Sequence, residues 1–173
     1  MSEGRYYGKY KGWVTSTMQA SANGRLGVRV PLGGRNPVDA IAEACIPYAG
    51  GSNGMFAIPS VGSGVWVEFQ GGDPDGMAIW TGCWWKDDTE LPSAFGATAG
   101  LASLPVIVQS TSGNRLVLGA GGGNAIVLET LQGENGPRVR ITDTSVLISC
   151  GPANTIEITS SEVKINGDAL VVR

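Results

Sequence analysis

The chain has 173 residues, room for one ordinary domain or for a small domain with an elongated appendage. With 12 Lys+Arg against 15 Asp+Glu, a net charge of −3 and no histidine, it shows no general attraction to nucleic acid or anionic membrane. The same count leaves zinc almost no ligands and rules out any catalytic arrangement built on histidine.

Glycine is abundant (27 residues) without a G-X-Y period, and charged residues make up only 16%. Together these point to many short strands joined by tight turns. Cys45, Cys83 and Cys150 are an odd number in unrelated contexts, with no C-x-x-C spacing. They read as free, buried thiols, and a Cys45–Cys83 bridge stays open. No apolar signal core opens the sequence, and no run approaches the roughly 18 apolar residues of a membrane span.

In chain order, Tyr6 to Thr15 (YYGKYKGWVT) reads as a first strand, bent at Gly8 and Gly12. After an Asn23-Gly24 turn, Leu26, Val28 and Val30 alternate with outward residues that include Arg29, and Pro31 ends this second strand. Val38 to Cys45 (VDAIAEAC) fits a short helix or a strand. A glycine-rich loop follows from Pro47 to Gly54, then a short apolar strand from Met55 to Ile58.

Val65, Val67 and Phe69 next alternate with Trp66, Glu68 and Gln70, a strand with two unlike faces. Gly71-Gly72-Asp73-Pro74-Asp75-Gly76 reverses the chain, and a second strand returns from Met77 to Trp84. This hairpin region carries Trp66, Trp80, Trp84 and Trp85, most of the aromatic surface of the chain. Five strands over about 80 residues suggest a small closed barrel, because an open sheet of that size leaves edges to manage.

Residues 87–105 read as a linker by composition. Beyond them come eight units of the form apolar-x-apolar: Val106/Val108, Leu116/Leu118, Ile126/Leu128, Val139/Ile141, Val146/Ile148, Ile156/Ile158, Val163/Ile165 and Leu170/Val172. Turn clusters separate them, the signature of a repetitive β structure. A lone ribbon of such strands has no second layer to bury these pairs, while ordering its backbone costs about 1–2 kcal/mol per residue. Several copies around a common axis would merge the pairs into one core, with strand edges pairing to the next chain. The other arrangement, a two-sheet sandwich, usually has aromatic core residues, and none follow Phe95.

The stretches YYGKYKGWVT, NGRLGVRVP, ACIPYAGG and IPSVGSGVWVEFQGGDPDGMAIWTGCWW together resemble the oligomer-binding (OB) fold of contractile-tail spike proteins. That group includes phage baseplate assembly protein V and the spike part of VgrG in type VI secretion. The resemblance implies an all-β protein: an OB-fold domain over residues 1–86, a linker over 87–105, and a spike over 106–173 in which three chains intertwine as a β-helix. It further implies a homotrimer, assembled in the cytoplasm into a virion tail or injection particle. The barrel would dock on a separate trimeric hub, and contraction would drive the spike through a target envelope.

The trimer core expected on this reading is Val139, Ile141, Val146, Ile148, Ile156, Ile158, Val163 and Ile165. Leu170, Val171 and Val172 would meet a tip protein of the PAAR type, since a chain without histidine cannot form the histidine-bound iron tip of some relatives.

No catalytic, cofactor or metal site is expected. Asp73 and Asp75 could be acid and base or cation ligands, but in a Gly/Pro turn they read as turn formers. Gly119 to Gly123 lacks the following helix that a phosphate loop needs. Arg25 and Arg29, with aromatics nearby, leave a second reading: an OB module on a trimeric β stalk that binds carbohydrate or nucleic acid.

Overall fold

A computed structural model describes residues 4–20, 23–98, 104–120, 125–167 and 169–172 of the chain. It divides into two units, Met1–Glu90 and Leu91–Arg173. Part of the 87–105 segment and most of the glycine run before Ala125 lie outside the described residues.

In the first unit, strands β1 (Tyr10–Ser16), β2 (Leu26–Val30), β3 (Val38–Ala44), β6 (Gly64–Phe69) and β7 (Ala78–Trp84) close a barrel in the order β1-β2-β3-β7-β6. All pairings are antiparallel except β3 with β7. Closure removes the free edges that a five-stranded open sheet would expose. Val14, Leu26, Val28, Val30, Val65 and Val67 fill the interior and are almost completely buried.

Val38–Ala44, which the sequence leaves between helix and strand, is a strand. Val38 and Ala42 point inward, while Asp39 lies opposite Arg29 on β2. Its outward carboxylates meet two arginines: Arg29 on β2 holds Asp39 through two hydrogen bonds of 2.8 and 2.7 Å, and Arg25, just before β2, meets Glu43 at 2.7 Å.

The expected strand over Met55 to Ile58 does not form. Two-residue strands β4 (Ala49–Gly50) and β5 (Asn53–Gly54) pair just before it, and the chain then runs on irregularly. The Met55 N–H still donates to the Tyr48 carbonyl at 2.9 Å, but the barrel is closed and offers the rest of the run no free edge. Ile58 instead packs against the barrel core as a partly buried side chain.

The hairpin tryptophans separate by side. Trp80 is 4% exposed in the core, and its Nε1 donates to the Gly24 carbonyl at 3.0 Å, which satisfies the one polar atom that it buries. Trp84 lies over Gly64, where an added Cβ would come within 2.5 Å of the indole, so this close approach requires glycine. Trp13 meets Trp84 edge to face at 5.5 Å, and Lys11 stands 4.5 Å from the Trp84 ring centre. Trp85 is largely exposed.

The second unit is one eight-stranded sheet: β8 (Val106–Gln109), β9 (Arg115–Ala120), β10 (Ala125–Glu129), β11 (Pro137–Ile141), β12 (Ser145–Cys150), β13 (Asn154–Thr159), β14 (Val163–Ile165) and β15 (Leu170–Val172). Each strand pairs antiparallel with its neighbours in sequence, as a meander. A 3-10 turn over Ser93–Thr98 belongs to this unit, and its Ala94 is buried with Val117, Ala125 and Val127.

Candidate trimer interface

Side chains alternate across a strand, so the register of the meander decides which residues share a side. Val139 lies opposite Ile148, Ile141 opposite Val146, Ile148 opposite Ile156, and Val146 opposite Ile158. Ile156 and Ile158 in turn face Ile165 and Val163. The eight residues expected to form a trimer core therefore stand on one side of one sheet.

The same ladder carries that side in both directions. Ile126 and Leu128 join it through β10, Leu116 and Leu118 through β9, and Val106 and Val108 through β8. These share the apolar-x-apolar form of the expected core residues, which is the signal by which they can be found. At the other end Leu170 and Val172 lie opposite Ile165 and Val163, whereas Val171 lies opposite Lys164 and so faces the other way.

Among the described residues of its own unit, none covers this apolar side. Ile148 is 43% exposed, Ile156 39%, Ile158 41% and Leu128 58%. A monomer would leave these rows of aliphatic carbon in water, a patch of the kind that marks an interaction surface.

The opposite side holds every charge found within the strands: Arg115, Glu129, Arg138, Arg140, Glu157 and Lys164. Arg115 Nε donates to Glu129 Oε1 at 2.7 Å, Arg138 Nε stands 4.0 Å from Glu129 Oε2, and Arg138 Nη1 reaches Glu134 Oε1 at 3.0 Å. The side chains of Arg115, Glu129 and Arg138 are only 15%, 11% and 10% exposed. The Glu129 carboxylate is thus hydrogen-bonded to Arg115 on β9 and faces Arg138 on β11 at ion-pair distance.

The barrel residues with a possible chemical role are tied into structure. Asp73 accepts a hydrogen bond from the Asp75 backbone N–H at 3.1 Å, as a turn former does, and Asp75 pairs with Arg35 at 3.0 Å. Arg25 and Arg29 are bound to Glu43 and Asp39, so the cationic heads that an oligonucleotide surface would use are occupied. The Arg29 guanidinium holds the Asp39 carboxyl below its ordinary range.

Cys45, Cys83 and Cys150 are free and exposed, which corrects the expectation of buried thiols and excludes the Cys45–Cys83 bridge from this structure. The alternation of β3 gives the inward positions to Ala42 and Ala44, leaving Cys45 on the outside. Partial shielding still pushes the Cys83 thiol above its ordinary value. Among the described residues no helix is long and apolar enough to cross a membrane.

A closed five-stranded barrel followed by a one-sided apolar meander defines an OB-fold protein with an association sheet. Comparison with protein families agrees with both parts. Residues 10–85 match the type VI secretion system/phage-baseplate injector OB domain, and residues 105–171 match the phage baseplate V C-terminal trimerisation domain. The chain belongs to the phage baseplate assembly protein V family, a family of structural baseplate proteins. No curated protein matches it.

Proposed function

We propose that the chain is the homotrimeric central spike of a contractile tail or injection particle, acting mechanically and not as an enzyme. Three copies bring their apolar sheet sides together, so that Val139, Ile141, Val146, Ile148, Ile156, Ile158, Val163 and Ile165 line the axis of a β-helical prism. The barrels dock on a separate trimeric hub at the end of the tube, and sheath contraction drives the prism through the target envelope. A tip protein of the PAAR type would sit on β15, where Leu170 and Val172 continue the apolar side and the strand has an open edge.

The observation that carries this reading is the uncovered aliphatic side of the sheet, joined to a family whose corresponding segment is a trimerisation domain. Stiffness follows from the same arrangement, because burial of branched aliphatic side chains at close packing leaves little room to bend. The test is native mass before and after exposure to SDS without boiling. A three-chain mass that survives SDS is expected. A single-chain mass in native buffer would refute the spike, and the barrel would then be tested against glycans and single-stranded DNA.

A further inference from the structure

We propose that the charged side of the meander is a binding site for a small oxyanion of the phosphate type, held by Arg138 and Arg140 of β11. The site lies on the side away from the aliphatic rows and does not depend on the spike reading.

This side of the sheet is short of acceptors. Among the described residues three buried side-chain polar atoms have no hydrogen-bond partner: Thr130 Oγ1, Arg138 Nε and Arg140 Nε. Two of the three are guanidinium donors, two residues apart and so on the same side of one strand. Buried polar groups in native proteins are nearly always paired, so two adjacent orphans call for an acceptor from outside the chain. A guanidinium stays charged at any working pH, and it cannot escape the cost of burial by losing a proton.

The register shows why the neighbouring residues do not supply that acceptor. Arg140 lies opposite Val127 on β10 and Leu147 on β12, neither of which can accept a hydrogen bond from it through its side chain. Its same-side neighbours along the chain are Arg138 and Thr142, and the Thr142 hydroxyl is held by Ser145 in its own turn. Glu129, diagonal to it on β10, already accepts from Arg115 at 2.7 Å and faces Arg138 at 4.0 Å. Glu157 is two strands away, about 9.6 Å at ordinary strand spacing. Among the described residues Arg140 has no ion-pair partner. Three guanidinium groups, of Arg115, Arg138 and Arg140, thus share two carboxylates, of Glu129 and Glu134, which leaves one positive charge over. Ser149, 8% exposed and opposite Arg138, adds a hydroxyl to the same place. Fixed charge and several N–H donors suit a compact anion. With the Arg138 side chain only 10% exposed, a small ion fits better than a bulky phosphoester.

The test uses the full-length chain and inorganic phosphate. Titration calorimetry at constant ionic strength, with chloride as the background anion, is combined with NMR of the arginine Nε–H groups. The expected result is saturable binding of one phosphate per chain, with the Arg138 and Arg140 Nε–H resonances moving along the same titration curve. Arg140→Gln, which removes the charge, should weaken binding by about tenfold or more. Arg35→Gln, at a barrel arginine already paired with Asp75, should leave it unchanged.

No saturable binding at millimolar phosphate would overturn the site and leave water as the partner of both donors. Binding that persists in Arg140→Gln, or that leaves both resonances in place, would overturn it as well. The resonances are read in the unsubstituted chain, so the test holds even where Arg140→Gln fails to fold. Glycerol phosphate carries the same group on a bulkier molecule and should bind more weakly. Equal or tighter binding of glycerol phosphate would overturn the assignment to a small free ion.

Discussion

Ile158→Asp puts the proposed axis to its hardest test. Ile158 is 41% exposed in the single chain and lies opposite Val146 and Val163 on the apolar side. In a monomer the new carboxylate would reach water at modest cost. In a trimer three carboxylates would converge among aliphatic side chains, each carrying an effective penalty of several kcal/mol, on the order of 10 kcal/mol in all. Full burial of an aliphatic side chain is worth about 1.5–3 kcal/mol, so the exposed 41% of each Ile158 also forfeits about 1 kcal/mol on association. Roughly ten comparably exposed side chains on this side supply about 10 kcal/mol per chain as an upper estimate. One substitution thus cancels about a third of the association energy of the whole trimer. Sedimentation equilibrium should show dissociation of Ile158→Asp at concentrations where the parent chain and Ile158→Leu stay trimeric. Glu157→Gln, one residue away on the charged side, should leave the mass unchanged. A trimer undisturbed by Ile158→Asp would refute the assignment of this side to the axis.

Four further outcomes follow from the geometry. Glu129→Gln leaves the shielded Arg115 and Arg138 without their shared carboxylate and should cost about 3–5 kcal/mol in chemical denaturation. Glu134→Gln, at a side chain 84% exposed, should cost less than about 1 kcal/mol. Gly64→Ala drives a methyl group into the Trp84 indole and should destabilise the barrel by about 1–3 kcal/mol, with a change in tryptophan fluorescence. Because Arg29 lowers the Asp39 pKa, the stability this pair adds is present above the ordinary aspartate value of 3.8 and is lost as pH falls through the depressed value. Arg29→Ala should return the Asp39 titration toward that ordinary value, as read by NMR.

Much of this organisation is legible in the residues because strand alternation is a local rule. The eight apolar-x-apolar units are visible without any partner, and each became a strand whose paired residues share a side. The barrel is less open to such reading. Val38 to Ala44 mixes alanine, which favours helix, with alternating carboxylates, and its state is decided by ladders to β2 on one side and β7 on the other, partners distant in sequence. Met55 to Ile58 has the apolar character of a strand, but no edge remains for it once the barrel closes. Ala94 is buried because Val117, Ala125 and Val127 come together beneath it, and a small residue among others carries no local sign of that. Cysteine's small, apolar character speaks for burial, while Cys45, next to the inward Ala44, takes an outward position.

The two units also differ in how far along the chain their pairings reach. In the barrel Tyr10 pairs with Val67, so closure waits until most of the unit has been made. In the meander every pairing joins consecutive strands, as in Glu157 with Lys164, so hairpins can zip in turn without long loop closures. Such a ribbon can form its hydrogen bonds before it meets another copy, and in that interval its aliphatic side faces water. Assembly is then a race between encounter with two like chains and encounter with anything else apolar, and its yield should depend on how many copies are made close together.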